Sequence, residues 1–366
     1  MTDKLSRRDF LRLSSIAITG LAATPILRPP RLPRANLSPF DEFPDAPLLG
    51  RITAASLKVI SAPNPRGQEL GKVTFNQVWP IKRYVVGEGW FPHNHIWAEI
   101  EDGYIYSSFV QPVENIRNPI LTSLPEGGVY GQISVPYVDT RLGPGLTFDL
   151  SYRSYYSAVF NIDRIETDET GQVWYDINDE NGKILWVPAE AFRLIPAEDL
   201  SPISPEVEDK YIEVDLASQW LLAFENGTEV FRTRISSGLS FFGTSPEDRP
   251  RDTPQGTMPI WSKRISRHME GGTIEAGWDL PGVGFVSYFA SNGAAIHSTF
   301  WHNDYGRPRS AGCLNCSPEA SRWLFRWTTP IVDYSPGHII VEWPGGTKIN
   351  IYDSGRGAHP DDRQGV

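Results

Sequence analysis

Ala295-Ile296-His297-Ser298-Thr299-Phe300-Trp301, followed after a short gap by Arg309-Ser310-Ala311-Gly312-Cys313-Leu314-Asn315-Cys316-Ser317-Pro318, is the stretch from which the rest of the chain can be read. Its first part predicts a strand with His297 near the end. Its second part predicts a glycine turn that presents Cys313 and opens a helix, with Pro318 near the helix start and Ser317 as cap. A cysteine so placed suits a nucleophile, because glycine lets the backbone approach closely and helix N-terminal amides favour the thiolate. His297, sixteen residues upstream, can return beside it as a base. That is the Cys/His pairing covalent acyl transfer needs.

The surroundings read as β structure. Tyr211-Ile212-Glu213-Val214-Asp215-Leu216 alternates apolar and acidic residues as a half-buried strand does. Trp220 to Phe224 and Glu229 to Ile235 predict two more strands around an Asn226-Gly227 turn. Pro318 to Trp327 predicts the one clear helix. Strands at His338 to Glu342 and Thr347 to Tyr352 close a domain at 209–352, and a polar tail covers 353–366. A proline-rich boundary, Pro196 to Pro205, precedes that domain.

Two earlier segments, 48–116 and 126–197, look like variants of one unit. The first ends with Ile96-Trp97-Ala98-Glu99-Ile100, Asp102-Gly103-Tyr104-Ile105-Tyr106 and Val110-Gln111-Pro112; the second with Val173-Trp174-Tyr175-Asp176-Ile177, Asn181-Gly182-Lys183-Ile184-Leu185-Trp186 and Val187-Pro188. A Trp strand, a turn at Asp-Gly or Asn-Gly and a second strand recur at a period of about eighty residues. The pattern resembles bacterial SH3-like barrels, which either bind the wall or a partner, or act as spacers. Residues 1–47 hold Ser6-Arg7-Arg8-Asp9-Phe10-Leu11, an apolar run from Leu13 to Leu27 and a proline-rich linker. Paired arginines before a modest apolar stretch resemble a twin-arginine export signal. Thr19, Gly20, Thr24 and Pro25 break the run, which argues against a permanent membrane anchor. Export implies a periplasmic, cell-wall or extracellular location.

Composition narrows the chemistry. The 366 residues carry a formal charge of -10, which disfavours nucleic acid or an anionic membrane as main partner, since both are met by a basic face. An amine-bearing substrate suits the charge better. Cys313 and Cys316 are the two cysteines, so no disulfide framework is expected. A redox C-x-x-C lacks the parallel βαβ context such motifs follow. Zinc on Cys313, Cys316, His297 and His302 lacks a second paired-ligand spacing. His93 and His95 form an H-x-H in the first barrel, two ligands and too few for a site. His268, His338 and His359 have no partner in the sequence. No metal or cofactor is expected.

The His297-Ser298 and Ser310 to Asn315 motifs resemble the L,D-transpeptidase family, whose signature is a His followed by Ser-His-Gly-Cys, an apolar residue and Asn or Arg. The resemblance covers about 209 to 352 and includes Thr253-Pro254-Gln255-Gly256-Thr257-Met258 and Val286-Ser287-Tyr288-Phe289. It departs at Ala311, where the family has its second His; His302, Tyr305 and Arg307 on the intervening loop are candidates to fill that gap. With the Trp-, Tyr-, Gly- and Pro-rich composition and the two earlier segments, the expected architecture is mainly β, two small SH3-like β-barrels followed by a β-sandwich-like L,D-transpeptidase catalytic domain with one or two short helices. The resemblance implies an acyltransferase acting on peptidoglycan stem peptides and releasing D-Ala, and a monomer is expected. Cys313 would be the nucleophile, His297 the general base, Ser298 the residue orienting the imidazole, and the Gly312 backbone part of the oxyanion hole. Tyr288, Ser310 and Asn315 would contact substrate. The alternative is a wall-binding protein whose transpeptidase domain has decayed, with Ala311 as its first sign.

Overall fold

The computed structural model describes residues 25–29, 42–178, 180, 183, 185–239, 252–271, 278–342 and 344–356. The arginine pair, much of the linker, the Asn181-Gly182 turn, His359 and most of the polar tail lie outside the described residues. By contacts the chain divides into two compact units. Unit 1 is Met1–Ile195 with Arg267–Gly282 and Phe300–Asp304; unit 2 is Pro196–Ser266, Val283–Thr299 and Tyr305–Val366.

In unit 1 two segments share an order of elements. One segment runs through strands Asn94–Ile100 and Gly103–Tyr106, a 3-10 turn at Ser107–Phe109 and a closing strand Val110–Val113. The other runs through Val173–Asn178, Trp186–Pro188, Ala189–Ala191 and Phe192–Ile195 in the same order. Trp97 and Trp174 are buried at equivalent places. The first segment forms a three-stranded and a five-stranded sheet, the second a seven-stranded sheet. These run as open sheets among the described residues, so the SH3-like expectation reduces to two successive β modules.

Two pieces from further along the chain cluster with these modules. In Arg267–Gly282, His268 Nε2 lies 2.5 Å from Asp279 Oδ1, and Arg267 pairs with Glu180. In Phe300–Asp304, the Phe300 carbonyl accepts from the Arg51 guanidinium, Asn303 donates to the Val110 carbonyl, and His93 Nε2 lies 2.7 Å from Asp304 Oδ1. His93 therefore pairs with a carboxylate far away in sequence, and His268 with one eleven residues on.

Unit 2 is built on two five-stranded sheets. Its elements are β1 (Lys210–Asp215), β2 (Trp220–Glu225), β3 (Thr228–Arg234), β4 (Gly256–Pro259), β5 (Ser262–Gly271), β6 (Trp278–Tyr288), β7 (Ala295–Ser298), β8 (Leu314–Cys316), α1 (Pro318–Trp327), β9 (His338–Ile340) and β10 (Lys348–Tyr352), of which β5 from Arg267 on and β6 up to Gly282 cluster with unit 1. One sheet has the order β3-β2-β1-β10-β4, the other β8-β7-β6-β5-β9. β1 alternates buried and half-buried residues as its sequence predicts. Asn226 and Gly227 both take positive φ, 49° and 77°, the geometry that closes a two-residue hairpin without splaying its strands.

The core of unit 2 joins the sheets. Ile212, Val214, Leu221, Ile349 and Ile351 from the first meet Ile296, Leu314 and Cys316 from the second, with Ala320, Leu324 and Trp327 of α1. Ser317 Oγ accepts the Ala320 amide at 3.2 Å and caps the helix. At its other end two buried lysines take the carbonyls that helix termini leave open. Lys263 Nζ donates to Phe325 O and Thr328 O, and Lys210 Nζ to Trp327 O and Ile203 O. Burial lowers both ammonium pKa values, that of Lys263 well below its ordinary range.

Candidate active site

The site follows from strand register. β7 and β8 are parallel neighbours, pairing Ile296 with Leu314, His297 with Asn315 and Ser298 with Cys316. Successive side chains alternate faces. Ile296, Leu314 and Cys316 enter the core, so His297 and Asn315 take the other face. Cys313, one residue before β8, falls on that same face in the row of Ala295. On the other side β6 pairs Tyr288 with Ala295. Tyr288, Ala295 and Cys313 thus form one row, with His297 next along its strand.

The imidazole has a defined tautomer. Its Nδ1 lies 2.9 Å from the Ser298 carbonyl oxygen. A carbonyl can only accept, so Nδ1 carries the hydrogen and Nε2 keeps a lone pair. Burial lowers the His297 pKa to about 4, with the Ser298 carbonyl acting in the opposite sense. The ring is a neutral acceptor at physiological pH. The Ser298 contact to the ring is through its backbone, while its hydroxyl accepts the Gly284 amide at 2.9 Å.

Cys313 is half-buried. Burial raises its thiol to about 11, opposed by the Ala295 backbone amide. This corrects the expectation of a thiolate at a helix N-terminus, because β8 lies between the cysteine and Ser317 and α1 begins only at Pro318. Burial thus favours the neutral form of both the thiol and the imidazole.

Ser310 closes the turn. Its hydroxyl donates to the Cys313 carbonyl at 2.5 Å and accepts the Gly312 amide at 3.1 Å. Gly312 has φ 115°, a region side chains other than glycine's avoid. The Gly312 amide, expected as an oxyanion donor, is thus already engaged by Ser310. Asn315 is 1% exposed and exchanges two backbone hydrogen bonds with Ser236, at 3.0 and 2.9 Å; this is a strand position. Tyr288 is half-buried, with its ring 5.9 Å from that of Trp261. Cys316 is fully buried and its thiol is pushed up to about 12. Cys313 and Cys316 face opposite sides of the sheet, which separates them as disulfide partners or zinc ligands.

Of the loop candidates for the gap at Ala311, Tyr305 Oη donates to the Cys316 carbonyl at 3.1 Å, and burial holds its pKa well above the ordinary range. His302 Nδ1 accepts the Asp304 amide within unit 1. Sequence reasoning missed Gln219 and Ser237, which with Thr253 hold the chain beside the Ser310–Cys313 turn. Their partners lie far off in sequence and leave no local pattern.

Comparison with known proteins supports this domain. Residues 209–351 match the family model YkuD, the L,D-transpeptidase catalytic domain. Among solved structures, a mutant L,D-transpeptidase of Enterococcus faecium with a cysteine changed to serine is 24% identical; the match covers 40% of this chain and 51% of that one, with a TM-score of 0.30. This chain therefore spans about half the length of that relative. The catalytic domain of an E. faecium L,D-transpeptidase is 26% identical over 40% of this chain and 98% of its own, with a TM-score of 0.29. An L,D-transpeptidase from Mycobacterium smegmatis is 18% identical, covering 66% and 100%, with a TM-score of 0.31. No curated protein matches.

Proposed function

We propose that the protein is a peptidoglycan L,D-transpeptidase working through an acyl-enzyme on Cys313. The observation that carries this reading is the His297 Nδ1 bond to the Ser298 carbonyl, which leaves Nε2 as an acceptor on the face Cys313 shares. With the thiol near 11 and the imidazole near 4, a thiolate–imidazolium pair is a minor species, so proton transfer accompanies attack.

Cys313 Sγ bonds to the carbonyl carbon before the terminal D-Ala while its proton passes to His297 Nε2. The C–N bond then breaks, and the leaving amine takes that proton. An acceptor amine attacks the thioester, its proton passes through Nε2 to the departing sulfur, and the cross-link is formed. The Cys313 amide serves the oxyanion in place of the engaged Gly312 amide, a donor worth about 3 kcal/mol in comparable acyl transfers.

The substrate class, peptidoglycan stem peptides, places the enzyme in the cell envelope, reached in this reading through the twin-arginine signal. Among the described residues no helix is long and apolar enough to cross a membrane. The alternative, a wall-binding protein with a decayed site, draws on Ala311 and the raised thiol. Intact-mass measurement after treatment with imipenem separates the two: a single adduct on Cys313 supports the enzyme, and an unmodified protein supports the decayed site.

A further inference from the structure

We propose that Gln219 is a positioning residue for the nucleophile turn, acting through Ser237 and Ser310; the inference rests on the transpeptidase reading above. Gln219 lies in the turn between β1 and β2, 2% exposed, with φ 56°. That is the left-handed region, which strains a residue other than glycine. The turn itself would accept glycine more easily, so the long side chain is explained by what it reaches.

Its amide makes three hydrogen bonds. Nε2 donates to Leu216 O at 2.7 Å and to Ser237 Oγ at 2.7 Å, and Oε1 accepts the Ser237 amide at 2.9 Å. Ser237 is thereby fixed at both its backbone and its hydroxyl.

The segment so fixed holds the nucleophile turn at both ends. The Ser237 carbonyl accepts the amides of Arg309 and Ser310, at 2.8 and 2.9 Å, and the Leu239 amide donates to Ser310 O at 3.0 Å. Ser236 meets Asn315 at the far end. The next residue, Gly238, donates to the buried Thr253 hydroxyl at 2.8 Å. From Ser310 the path reaches Cys313 through the 2.5 Å bond to its carbonyl. Gln219 is uncharged, so its effect falls on where Cys313 stands rather than on its ionisation.

The test uses the full chain with Gln219→Met, which keeps the side chain's length and removes its hydrogen bonds, and Gln219→Gly, which also relieves the backbone. Misplacing a nucleophile by about 1 Å costs up to about 100-fold, so both variants should be acylated by imipenem about 10-fold to 100-fold more slowly than wild type. Alkylation of Cys313 by iodoacetamide needs an accessible thiolate but no aligned carbonyl, and since Gln219 leaves the ionisation alone it should change by less than about twofold. The pH midpoints of acylation should not move, and buried Cys316 should stay protected from alkylation, which reports an intact core. If Gln219→Met is acylated as fast as wild type, or if Cys316 becomes reactive in both variants, Gln219 is only structural and the inference falls. A wild-type protein that is alkylated but never acylated removes the transpeptidase reading and this inference with it.

Discussion

The Ser310 hydroxyl donates to the Cys313 carbonyl at 2.5 Å, a bond that spans the turn before Cys313 and leaves the same oxygen to accept the Gly312 amide. Ser310 thus shapes the turn from within. Ser310→Ala should lower imipenem acylation at least about tenfold while costing about 1 kcal/mol of stability, the usual loss for one hydrogen bond. Acylation rates and urea unfolding curves would check both numbers.

Gly312 tests the same turn through its backbone. A side chain at φ 115° is strained whatever space surrounds it, at a cost of about 1–3 kcal/mol. Gly312→Ala should therefore lose both stability and most acylation, whereas Ala311→Gly, at the exposed neighbouring position, should acylate within about threefold of wild type.

The two cysteines should separate cleanly. Cys313→Ala should abolish adduct formation and turnover. Cys316→Ala opens a small hole in the core cluster and should cost about 1–2 kcal/mol, with most turnover retained at a temperature where it stays folded. Equal inactivity of a folded Cys316→Ala would favour paired-thiol chemistry.

The pH profile follows from the thiol and imidazole together. Below about 4 His297 is protonated and cannot accept the thiol proton, so acylation should rise through that region and then stay flat across neutrality. It should rise again as the thiolate forms toward about 11. Folding should show the matching sign. An unfolded histidine titrates at 6.5 and the folded one at about 4; in that window the unfolded chain binds more protons, and stability falls as pH drops. Stopped-flow acylation and unfolding free energies, each against pH, would check this, with His297→Gln expected to remove its part of the acid slope.

The end of α1 gives a prediction independent of catalysis. Lys263→Met would leave the Phe325 and Thr328 carbonyls buried without their donor, at about 1–3 kcal/mol per group. Urea unfolding should show a lower midpoint with an unchanged slope.

These residues also show how far the sequence could be read. α1 was legible because Ser317, Pro318 and the following pattern mark a helix start within a few positions. The module endings were legible because a Trp strand and turn occur twice. β8 was missed because three residues between Gly312 and Pro318 show no period, and the same turn reads equally as a helix start. β5 was hidden because Lys263 and His268 occupy buried positions where an alternating strand should be apolar. Their carbonyl and carboxylate partners lie elsewhere in the chain. The raised thiol and the Gln219 path depend on packing between distant segments, which no local pattern encodes.

The most direct test of the transpeptidase reading is to incubate the full chain with a purified tetrapeptide stem and an amine acceptor, following free D-Ala and the mass of the protein together. The account predicts D-Ala release matched by cross-linked product, a transient thioester on Cys313, and neither in Cys313→Ala. Release at the same rate from Cys313→Ala, or no release from a wild-type protein whose Cys313 is open to alkylation, would contradict it.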